Sequence, residues 1–521
     1  MVISIVLLLL IIETVSGANI LAFFYFPSIS HQYVFRPIVK ELSLRGHKVT
    51  FVTPNPENDT KYTNLTEIDV SVGYEELKKV DNTRLNRESI SIAEFKMNRK
   101  DYFEKIITRQ METKGIQQLL EKPSDSFDLL LIEIHTVAFF GLKHKFNAPL
   151  IALSTTGAYS HCHDIFGDSI HPILYPDVVS ENRGPLKTLM EKIDGIYVFV
   201  MDYILDHYFI FPSVDKYIRK YFGQDMPYIE EMMKKANLLL MNVNPIFSQR
   251  IPLAPNVIQY YNVHLQRNVT LPDDLKQILD NAKNGAAYFS LGTNVRFAFF
   301  QGNIKEVILK ALGELPYTVL CKWDSVDFPG KPQNVILRTW FPQQGILAHP
   351  NIKIFVTQGG IQSSEEAISN GVPMVVIPFL GDQPTNADAL RRSGMAETIS
   401  PKSITQDVLR NTILKVAEDE KYRLKAQELR NIFLDQPGTG LEKVIWWCEY
   451  VLRHKGAEHL RSPGADISLY EYFMLDVFAV ILTVIVVTIV MMVFTVKALL
   501  RIFRSRKSKT KKQKKRERKE D

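Results

Sequence analysis

The stretch WFPQQGILAHPNIKIFVTQGGIQSSEEAISNGVPMVVIPFLGDQPTN, residues 340–386, decides the fold that the sequence predicts. It contains an apolar run that predicts a buried strand ending at Thr357, followed by the glycine pair Gly359-Gly360. A short helix is predicted next and ends at Gly371, and the apolar run 374–377 predicts another strand. Strands that are apolar throughout and alternate with helices are typical of a parallel sheet that is covered on both faces.

The same alternation extends outward from this stretch in both directions. Further strands of this half are predicted at 287–291, 317–322 and 335–337, and a helix at 304–315. The half before residue 265 contains a strand at 20–24, a polar loop at 27–31, a helix that ends at Gly46 and a strand at 49–53. We therefore predict an α/β protein with two doubly wound, Rossmann-like domains, 18–265 and 275–440, that face each other across a cleft. Residues 441–475 are predicted to form closing helices and a linker.

Composition, charge and missing motifs exclude several classes of protein. The chain is 46% hydrophobic and 23% charged, which excludes disorder for most of its 521 residues. Three cysteines, Cys162, Cys321 and Cys448, are too few for a disulfide scaffold or a cysteine-based zinc site. Residues 497–521 contain 13 Lys/Arg and 3 Asp/Glu, whereas the whole chain carries a net charge of +6, so the rest is mildly acidic and no nucleic-acid partner is predicted. The motifs of dinucleotide dehydrogenases, P-loop enzymes, zinc proteases and serine hydrolases are absent.

Both ends of the chain indicate a membrane protein. Residues 2–12 are apolar but too short to span a bilayer, and the small residues that follow predict a secretory signal peptide over 1–17; a buried first strand is the alternative. Residues 477–496 contain no charge and are long enough to span the hydrocarbon core. Because the basic tail 497–521 comes next, the positive-inside rule predicts a single-pass type I protein whose large N-terminal part is luminal.

Short motifs agree with a luminal, endoplasmic reticulum location. Asn58, Asn64 and Asn268 each begin a sequon for N-glycosylation. Arg518 and Lys519 lie four and three positions from the end of the chain and resemble a dilysine retrieval signal. The alternative is that they only continue the polybasic run, which would bind anionic membrane lipid.

Within 340–386, several residue types suit a nucleotide-sugar ligand. A helix N-terminus after Gly359-Gly360 is an anion site for phosphate, and Trp340 offers a ring face to a base. Glu366 can accept hydrogen bonds from a ribose diol, and Asp382-Gln383, in the loop after Pro378, can bind sugar hydroxyls. The alternative is structural, because Ser363-x-x-Glu366 also has the spacing of a capping box.

These residues resemble the signature of the UDP-glycosyltransferase family, inverting enzymes of GT-B fold that glycosylate small lipophilic molecules. The resemblance extends over nearly the whole chain, including 28–47, 289–293, 340–386 and the C-terminal anchor. It implies an N-terminal acceptor-binding domain and a C-terminal UDP-sugar-binding domain. The donor-binding residues that it implies are Thr293, Trp340, Gln343, Gln358, Gly360, Ser363, Glu366, Asp382 and Gln383.

The resemblance also implies the catalytic pair. His31 would be the general base, and its orienting carboxylate would come from the strand around 127–132, where the family usually has Asp and this chain has Glu133. Asp128 is the competitor, although its place at the start of the strand favours a capping role. His31 would deprotonate an acceptor hydroxyl, and a single displacement would give a β-glycoside. No metal or cofactor is expected, since helix and side-chain donors would replace a metal and the chain has no Asp-x-Asp triplet.

This chain departs from the family pattern at two places. Gln358 replaces a histidine of many members and resembles an invertebrate branch, and Tyr261-Asn262 stands where two glycines often precede the linker. By analogy with that branch, UDP-glucose is the expected donor and UDP-glucuronic acid the alternative. A non-catalytic, membrane-anchored protein that binds a UDP-sugar or a lipophile is a further alternative. The acceptor is a small lipophilic molecule, and a homo-oligomeric state is left open.

Overall fold

The computed structural model describes residues 17–79, 91–158, 160–168, 171–176, 186–244, 246, 251–266, 269–295, 303–324 and 330–520. Residues 1–16 of the predicted signal peptide and the sequon residue Asn268 lie outside these ranges. The strands of the first sheet are β1 (Asn19–Phe23), β2 (Lys48–Thr53), β3 (Leu65–Asp69), β4 (Leu129–Glu133), β5 (Leu150–Ser154), β6 (Leu238–Asn242) and β7 (Val257–Tyr260). Those of the second sheet are β8 (Ala286–Ser290), β9 (Thr318–Lys322), β10 (Val335–Arg338), β11 (Ile352–Thr357), β12 (Met374–Val376) and β13 (Ala396–Thr398).

Helices alternate with these strands. Those associated with the first sheet are α1 (Ile29–Leu44), α2 (Gly73–Lys79), α3 (Ile92–Met111), α4 (Lys114–Leu120), α5 (Gly141–Phe146), α6 (Ser160–Phe166), α7 (Leu189–Leu205), α8 (Phe211–Phe222) and α9 (Ile229–Lys234). A π-helical turn, Asp206–Ile210, joins α7 to α8. The later helices are α10 (Asp273–Asp280), α11 (Ile304–Gly313), α12 (Gln343–Ala348), α13 (Ile361–Ser369), α14 (Gln383–Arg392), α15 (Gln406–Glu418), α16 (Glu420–Leu434), α17 (Gly440–Arg453), α18 (Leu469–Tyr472) and α19 (Leu475–Glu520). Single 3-10 turns cover Val137–Phe140, Pro401–Ser403, Glu458–Leu460 and Pro463–Ala465.

Both sheets are parallel, and each has one point at which the strand order reverses. The first runs β3-β2-β1-β4-β5-β6-β7 and the second β10-β9-β8-β11-β12-β13. Every residue of β4, β5, β6 and β8 is buried, which explains why these strands are apolar along their whole length. In sheets of this kind ligands bind at the carboxyl ends of the strands next to the reversal. The topology therefore predicts ligand sites at the carboxyl ends of β1 and β4 and of β8 and β11.

Alternation along β1 divides the core of the first sheet between its two faces. Leu21 and Phe23 pack on one face with residues of α3 and of the turn Val137–Phe140. Ile20 and Ala22 point the other way and pack with α1 and with Val444, Ile445 and Cys448 of α17. The chain thus leaves the second sheet and returns through α17, which packs against the first.

The two sheets belong to one compact unit that ends at Ala465. Hydrogen bonds join its halves across the cleft. The Gln362 side chain on α13 donates to the carbonyl of Thr155 after β5 (3.2 Å). The side-chain Nδ2 of Asn294 donates to Ser28 Oγ, just before α1 (3.3 Å). The carboxyl ends of both sheets therefore face the same cleft.

A second unit, Asp466–Asp521, contains α18 and α19. Among the described residues, one helical segment, Leu475–Lys515 within α19, is long and apolar enough to cross a membrane. The predicted span 477–496 lies inside it, and the basic tail continues the same helix.

Candidate active site

The end of β4 brings a carboxylate against the histidine that follows β1. Glu133 is fully buried, and its Oε1 lies 2.5 Å from His31 Nδ1, so the imidazole donates its Nδ1 proton and leaves Nε2 free to accept another. The amide of Phe26 donates to the other oxygen, Oε2, at 3.1 Å. Since each carboxylate oxygen has a donor, the orientation of the Glu133 side chain is fixed.

The structure corrects the predicted position of His31 and shows which group Asp128 contacts. His31 does not lie in a loop: α1 begins at Ile29, so His31 is the third residue of that helix. Asp128 does not compete for His31, because its Oδ2 accepts the amide of Asn19 at the start of β1 (2.8 Å).

Three side chains here carry groups that can bind a metal. One ligand atom each from His31, Glu133 and His135 lie within 4.8 Å of one another. The 2.5 Å separation between His31 and Glu133 is a hydrogen-bond length. It is shorter than the roughly 3 Å between two ligands of one ion with bonds of about 2.1 Å. We therefore interpret the pair as a hydrogen-bonded dyad, and the absence of a metal in the mechanism stays a prediction.

Three of the predicted donor-binding residues, Gln343, Ser363 and Glu366, form one cluster on α12 and α13. Gln343 Nε2, at the start of α12, donates to Ser363 Oγ (2.9 Å) and to Glu366 Oε2 (2.7 Å). Gln344 Nε2 donates to the other oxygen of Glu366 at 3.2 Å. Burial raises the pKa of Glu366 to about 7, although both glutamine amides favour its charged form.

This cluster shows that the capping-box alternative is wrong. The residue that precedes α13 is Gly360, whereas Ser363 and Glu366 lie inside the helix. No side chain caps the first turn, so its backbone amides are not occupied by Ser363. Without a capping role, the pair Ser363 and Glu366 is available to a ligand.

The loops after β8 and β11 approach each other closely, and glycine makes this approach feasible. Gly292 has φ +74°, and a Cβ there would lie 2.1 Å from the Gln358 side chain. Gly359, with φ +82°, turns the chain into α13. Thr293 follows Gly292 and lines a cavity of about 280 Å³ together with Trp340, which is 49% exposed. An exposed ring face suits a stacked base and helix amides suit an anion, so the donor roles of these residues stay predictions.

Sequence reasoning missed Lys322 at this cavity. Its Nζ donates to the carbonyl of Gly292 (2.7 Å) and lies 4.7 Å from the centre of the Trp340 ring. Burial lowers the pKa of Lys322 to about 8, so the site holds a cation near neutral pH. A lysine that ends an otherwise buried strand, β9, next to β8 was the signal that could have found it.

Of the residues assigned to the donor sugar, Asp382 ends the predicted loop and Gln383 is the first residue of a helix. Asp382 precedes α14 and accepts from Asn386 Nδ2 at 2.6 Å. Burial raises the pKa of Asp382, whereas the hydrogen bond from Asn386 and the charge of His31 act in the opposite direction. Gln383 begins α14, and its Oε1 accepts the amides of Phe379 and Leu380, which leaves its NH2 group for a ligand.

The linker between the domains is bonded directly to the donor helix. Asn262 has φ +59°, a left-handed conformation that asparagine tolerates better than most residues, in place of the expected glycine. Its amide donates to Glu365 Oε2 (3.0 Å), and its Oδ1 accepts the amide of Gly440 (3.0 Å). Gln344, which contacts Glu366, also donates to the carbonyl of His264 (3.0 Å). The substitution of the usual glycines is thus compensated by a new side-chain contact.

The sequon residues Asn58 and Asn64 are exposed. The Nδ2 atom of Asn64 lies 3.4 Å from the carbonyl of Ser43.

Two parallel sheets whose carboxyl ends face one cleft, with a histidine–carboxylate pair at the end of the first, are the arrangement of a glycosyltransferase of GT-B fold. The chain belongs to the family described as UDP-glucoronosyl and UDP-glucosyl transferase, whose sequence model matches residues 23–514. It is 31% identical over 473 residues to UDP-glucosyltransferase 2 of Dactylopius coccus, covering 91% of each chain. It is also 31% identical over 480 residues to an ecdysteroid UDP-glucosyltransferase of Lymantria dispar multicapsid nuclear polyhedrosis virus, covering 90% of this chain and 94% of the relative. A crystal structure of UDP-glucose: anthocyanidin 3-O-glucosyltransferase in complex with UDP shares the fold, with a TM-score of 0.54, 16% identity and coverage of 84% of this chain and all of that one. The protein is therefore a transferase that moves a hexose from a UDP-sugar to an acceptor.

Proposed function

We propose that this protein transfers glucose from UDP-glucose to a hydroxyl of a small, neutral, lipophilic acceptor and forms a β-glucoside. The observation that carries the proposal is the 2.5 Å contact between His31 Nδ1 and the buried Glu133 carboxylate at the end of β4. This contact orients His31 Nε2 for a proton from the acceptor. An intact dyad also argues against the non-catalytic binding protein.

The first half of the mechanism is deprotonation and attack. The acceptor hydroxyl loses its proton to His31 Nε2 as its oxygen attacks the anomeric carbon. The imidazolium that forms is stabilised by Glu133, whose position is held by the amide of Phe26. Because attack and departure occur on opposite faces, an α-linked donor gives a β-glycoside.

The second half is the departure of UDP. Charge that develops on the diphosphate is met by the Gly360 amide at the start of α13, by Thr293 and by the ammonium of Lys322. Trp340 stacks on the uracil, Gln343 bonds its edge, and Glu366 binds the ribose. Gln358 holds the loop after β8, while Ser363 bonds the phosphate and Asp382 and Gln383 bond the sugar hydroxyls. None of these roles requires a metal or a further cofactor.

The choice of glucose rests on the groups near Asp382. A glucuronate carboxylate would meet the partly buried carboxyl of Asp382, whereas the hydroxyls of glucose can donate to it. The UDP-glucosyltransferases among its relatives point to the same sugar. UDP-glucuronic acid remains the alternative, since a relative from Macaca fascicularis is a UDP-glucuronosyltransferase.

We further propose that the active domains lie in the lumen of the endoplasmic reticulum. The apolar segment of α19 is the anchor, the basic tail is cytoplasmic and contacts membrane lipid, and residues 1–17 are a cleaved signal peptide. Exposed Asn58 and Asn64 are then accessible for glycosylation.

One assay tests the proposal. Membranes that contain the full chain are incubated with radiolabelled UDP-glucose or UDP-glucuronate and a panel of phenols. We expect glucosides, and we expect His31→Ala to retain UDP binding but to lower kcat by about 10²–10⁴, the usual contribution of general-base catalysis. Equal turnover by the variant would remove His31 from the mechanism. Faster transfer from UDP-glucuronate would favour the alternative sugar, and UDP-sugar binding without transfer would favour the binding protein.

A further inference from the structure

A second histidine lies beside the dyad. His135 follows β4 by two residues, and its ring lies 4.8 Å from the His31 ring at an angle of 34°. Its Nε2 is 3.9 Å from Glu133 Oε1, the same oxygen that accepts the His31 proton. The backbone of His135 is held by Arg99, which donates to its carbonyl at 3.2 Å.

The Nε2 atom of His135 is buried and makes no hydrogen bond within the described part of the chain. Burial, reinforced by the charges of His31 and Arg99, lowers the pKa of His135 well below its ordinary value, so the ring is neutral. The nearby Glu133 oxygen favours the tautomer with the proton on Nε2. A buried donor without a partner is costly, and at an active site a ligand atom can remove that cost.

His135 also forms part of the wall of an apolar cavity in the N-terminal domain. The cavity has a volume of about 80 Å³ and is lined by apolar side chains that include Phe103, Ile107, Val137 and Phe211. Lys96, which also lines it, is paired with Asp202 (2.6 Å) and Asp206 (2.7 Å). A neutral ring can therefore occupy the cavity while an attached oxygen faces His135.

We propose that His135 Nε2 donates a hydrogen bond to a second oxygen of the acceptor, on the carbon next to the hydroxyl that His31 deprotonates. The centres of the His31 and His135 rings are 4.8 Å apart, so two oxygens on adjacent carbons of one acceptor are within reach of the two rings. The preferred acceptors are then aromatic compounds with vicinal oxygens, and His135 determines specificity. The inference rests on the proposed function and narrows its substrate class.

The test uses two isomers that differ only in where the second oxygen lies. 2-Methoxyphenol places it next to the hydroxyl and 4-methoxyphenol places it across the ring, while both hydroxyls ionise in the same range. The full-length protein in membranes, with EDTA present, is assayed with each at saturating UDP-sugar. We expect kcat/KM for the 2-isomer to exceed that for the 4-isomer by about 10-fold, the effect of one satisfied buried donor.

Three variants test whether the preference for 2-methoxyphenol depends on the Nε2 atom of His135. His135→Phe keeps a ring but no donor, and the ratio of the two kcat/KM values should fall to about 1. His135→Gln returns an NH group and should restore part of the ratio, which a merely structural role would not do. His144→Phe makes the same change at an exposed site of the same domain and should leave the ratio unaltered.

A ratio near 1 in the wild type, or one that His135→Phe leaves unchanged, would overturn this inference while glycosylation itself continued. No transfer to either isomer or to phenol would instead contradict the proposed function.

Discussion

At the scale of single residues, Glu365 and Glu366 are adjacent on α13, but their carboxylates have different neighbours. Glu366 contacts Gln343 and Gln344 at the donor site, whereas Glu365 accepts the amide of Asn262 in the linker. Burial raises the pKa of both, to about 8 for Glu365 and about 7 for Glu366. The same substitution at the two positions therefore separates donor binding from stability.

We predict that Glu366→Gln raises the donor KM and costs about 1–3 kcal/mol in kcat/KM, because the ribose loses a charged acceptor. In the wild type the donor KM should fall as pH rises from 6 to 7.5, since the carboxyl, with a pKa of about 7, becomes charged. In the Glu366→Gln variant the donor KM should not change with pH over this range. Initial rates at varied UDP-sugar measure both effects, and Glu365→Gln is the control. An unaltered UDP-sugar affinity in Glu366→Gln would show that this residue does not bind the donor.

Glu365→Gln should instead change the pH dependence of stability. Burial holds the pKa of Glu365 at about 8 in the folded protein, compared with 4.5 ordinarily, so the folded state retains a proton that the unfolded state has lost. Stability of the wild type therefore falls as pH rises between those values. The variant lacks this loss, and its apparent Tm should exceed that of the wild type at pH 8 but not at pH 4.5. Thermal unfolding of the detergent-solubilised chain tests this, and a Tm difference that is constant with pH would contradict it.

At the scale of elements, the linker illustrates how one backbone conformation limits the choice of residue. Asn262→Val should destabilise the protein by about 2 kcal/mol or more, because a β-branched residue is strained at φ +59° and the bond to the Gly440 amide is lost. Asn262→Gly loses only the bond and should cost less. Denaturant unfolding of both variants measures the difference. Equal stability of the two would show that the conformation at 262 relaxes without strain.

At the scale of the whole molecule, α7 presents an exposed apolar face although most of the folded unit buries such residues. Its exposed side chains include Leu189, Met190, Ile193, Tyr197 and Val200. In the aromatic stretch 197–211 that overlaps its end, Tyr197, Tyr208 and Phe209 are exposed, whereas Phe211 is buried. Such a face indicates a contact outside the folded unit.

The anchor assignment predicts that a chain ending before Asp476 leaves the membrane, because it lacks the one segment in the described residues that is long enough to span it. Carbonate extraction followed by centrifugation should find the truncated chain in the supernatant and the full chain in the pellet. If the truncated chain stays in the pellet, α19 is not the sole attachment. Adding Tyr197→Glu to the truncation would then show whether the face of α7 is the second one.

Local patterns predicted β1, β4, β8 and β11, since strands buried on both faces are apolar throughout. They did not predict β3, an edge strand whose residues are partly exposed and whose sequence LTEID lacks such a run. The start of α1 was also missed, because Ser28 precedes it without forming a side-chain cap. Strands with a strong local apolar pattern were thus predicted from the sequence, whereas β3 and the start of α1, whose local patterns are weak, were not.

By itself the sequence determined the family, its signature stretch 340–386 and the apolar segment of α19, because each depends on residue types within one contiguous segment. Only the tertiary structure decided that His31 bonds Glu133, 102 positions away, and that Lys322 contacts the Gly292 loop. It also decided that Ser363 and Glu366 share a contact with Gln343 and do not cap α13. The physical reason is that these contacts depend on which strand ends become neighbours at the reversal of each sheet, and that order is set by packing between distant segments.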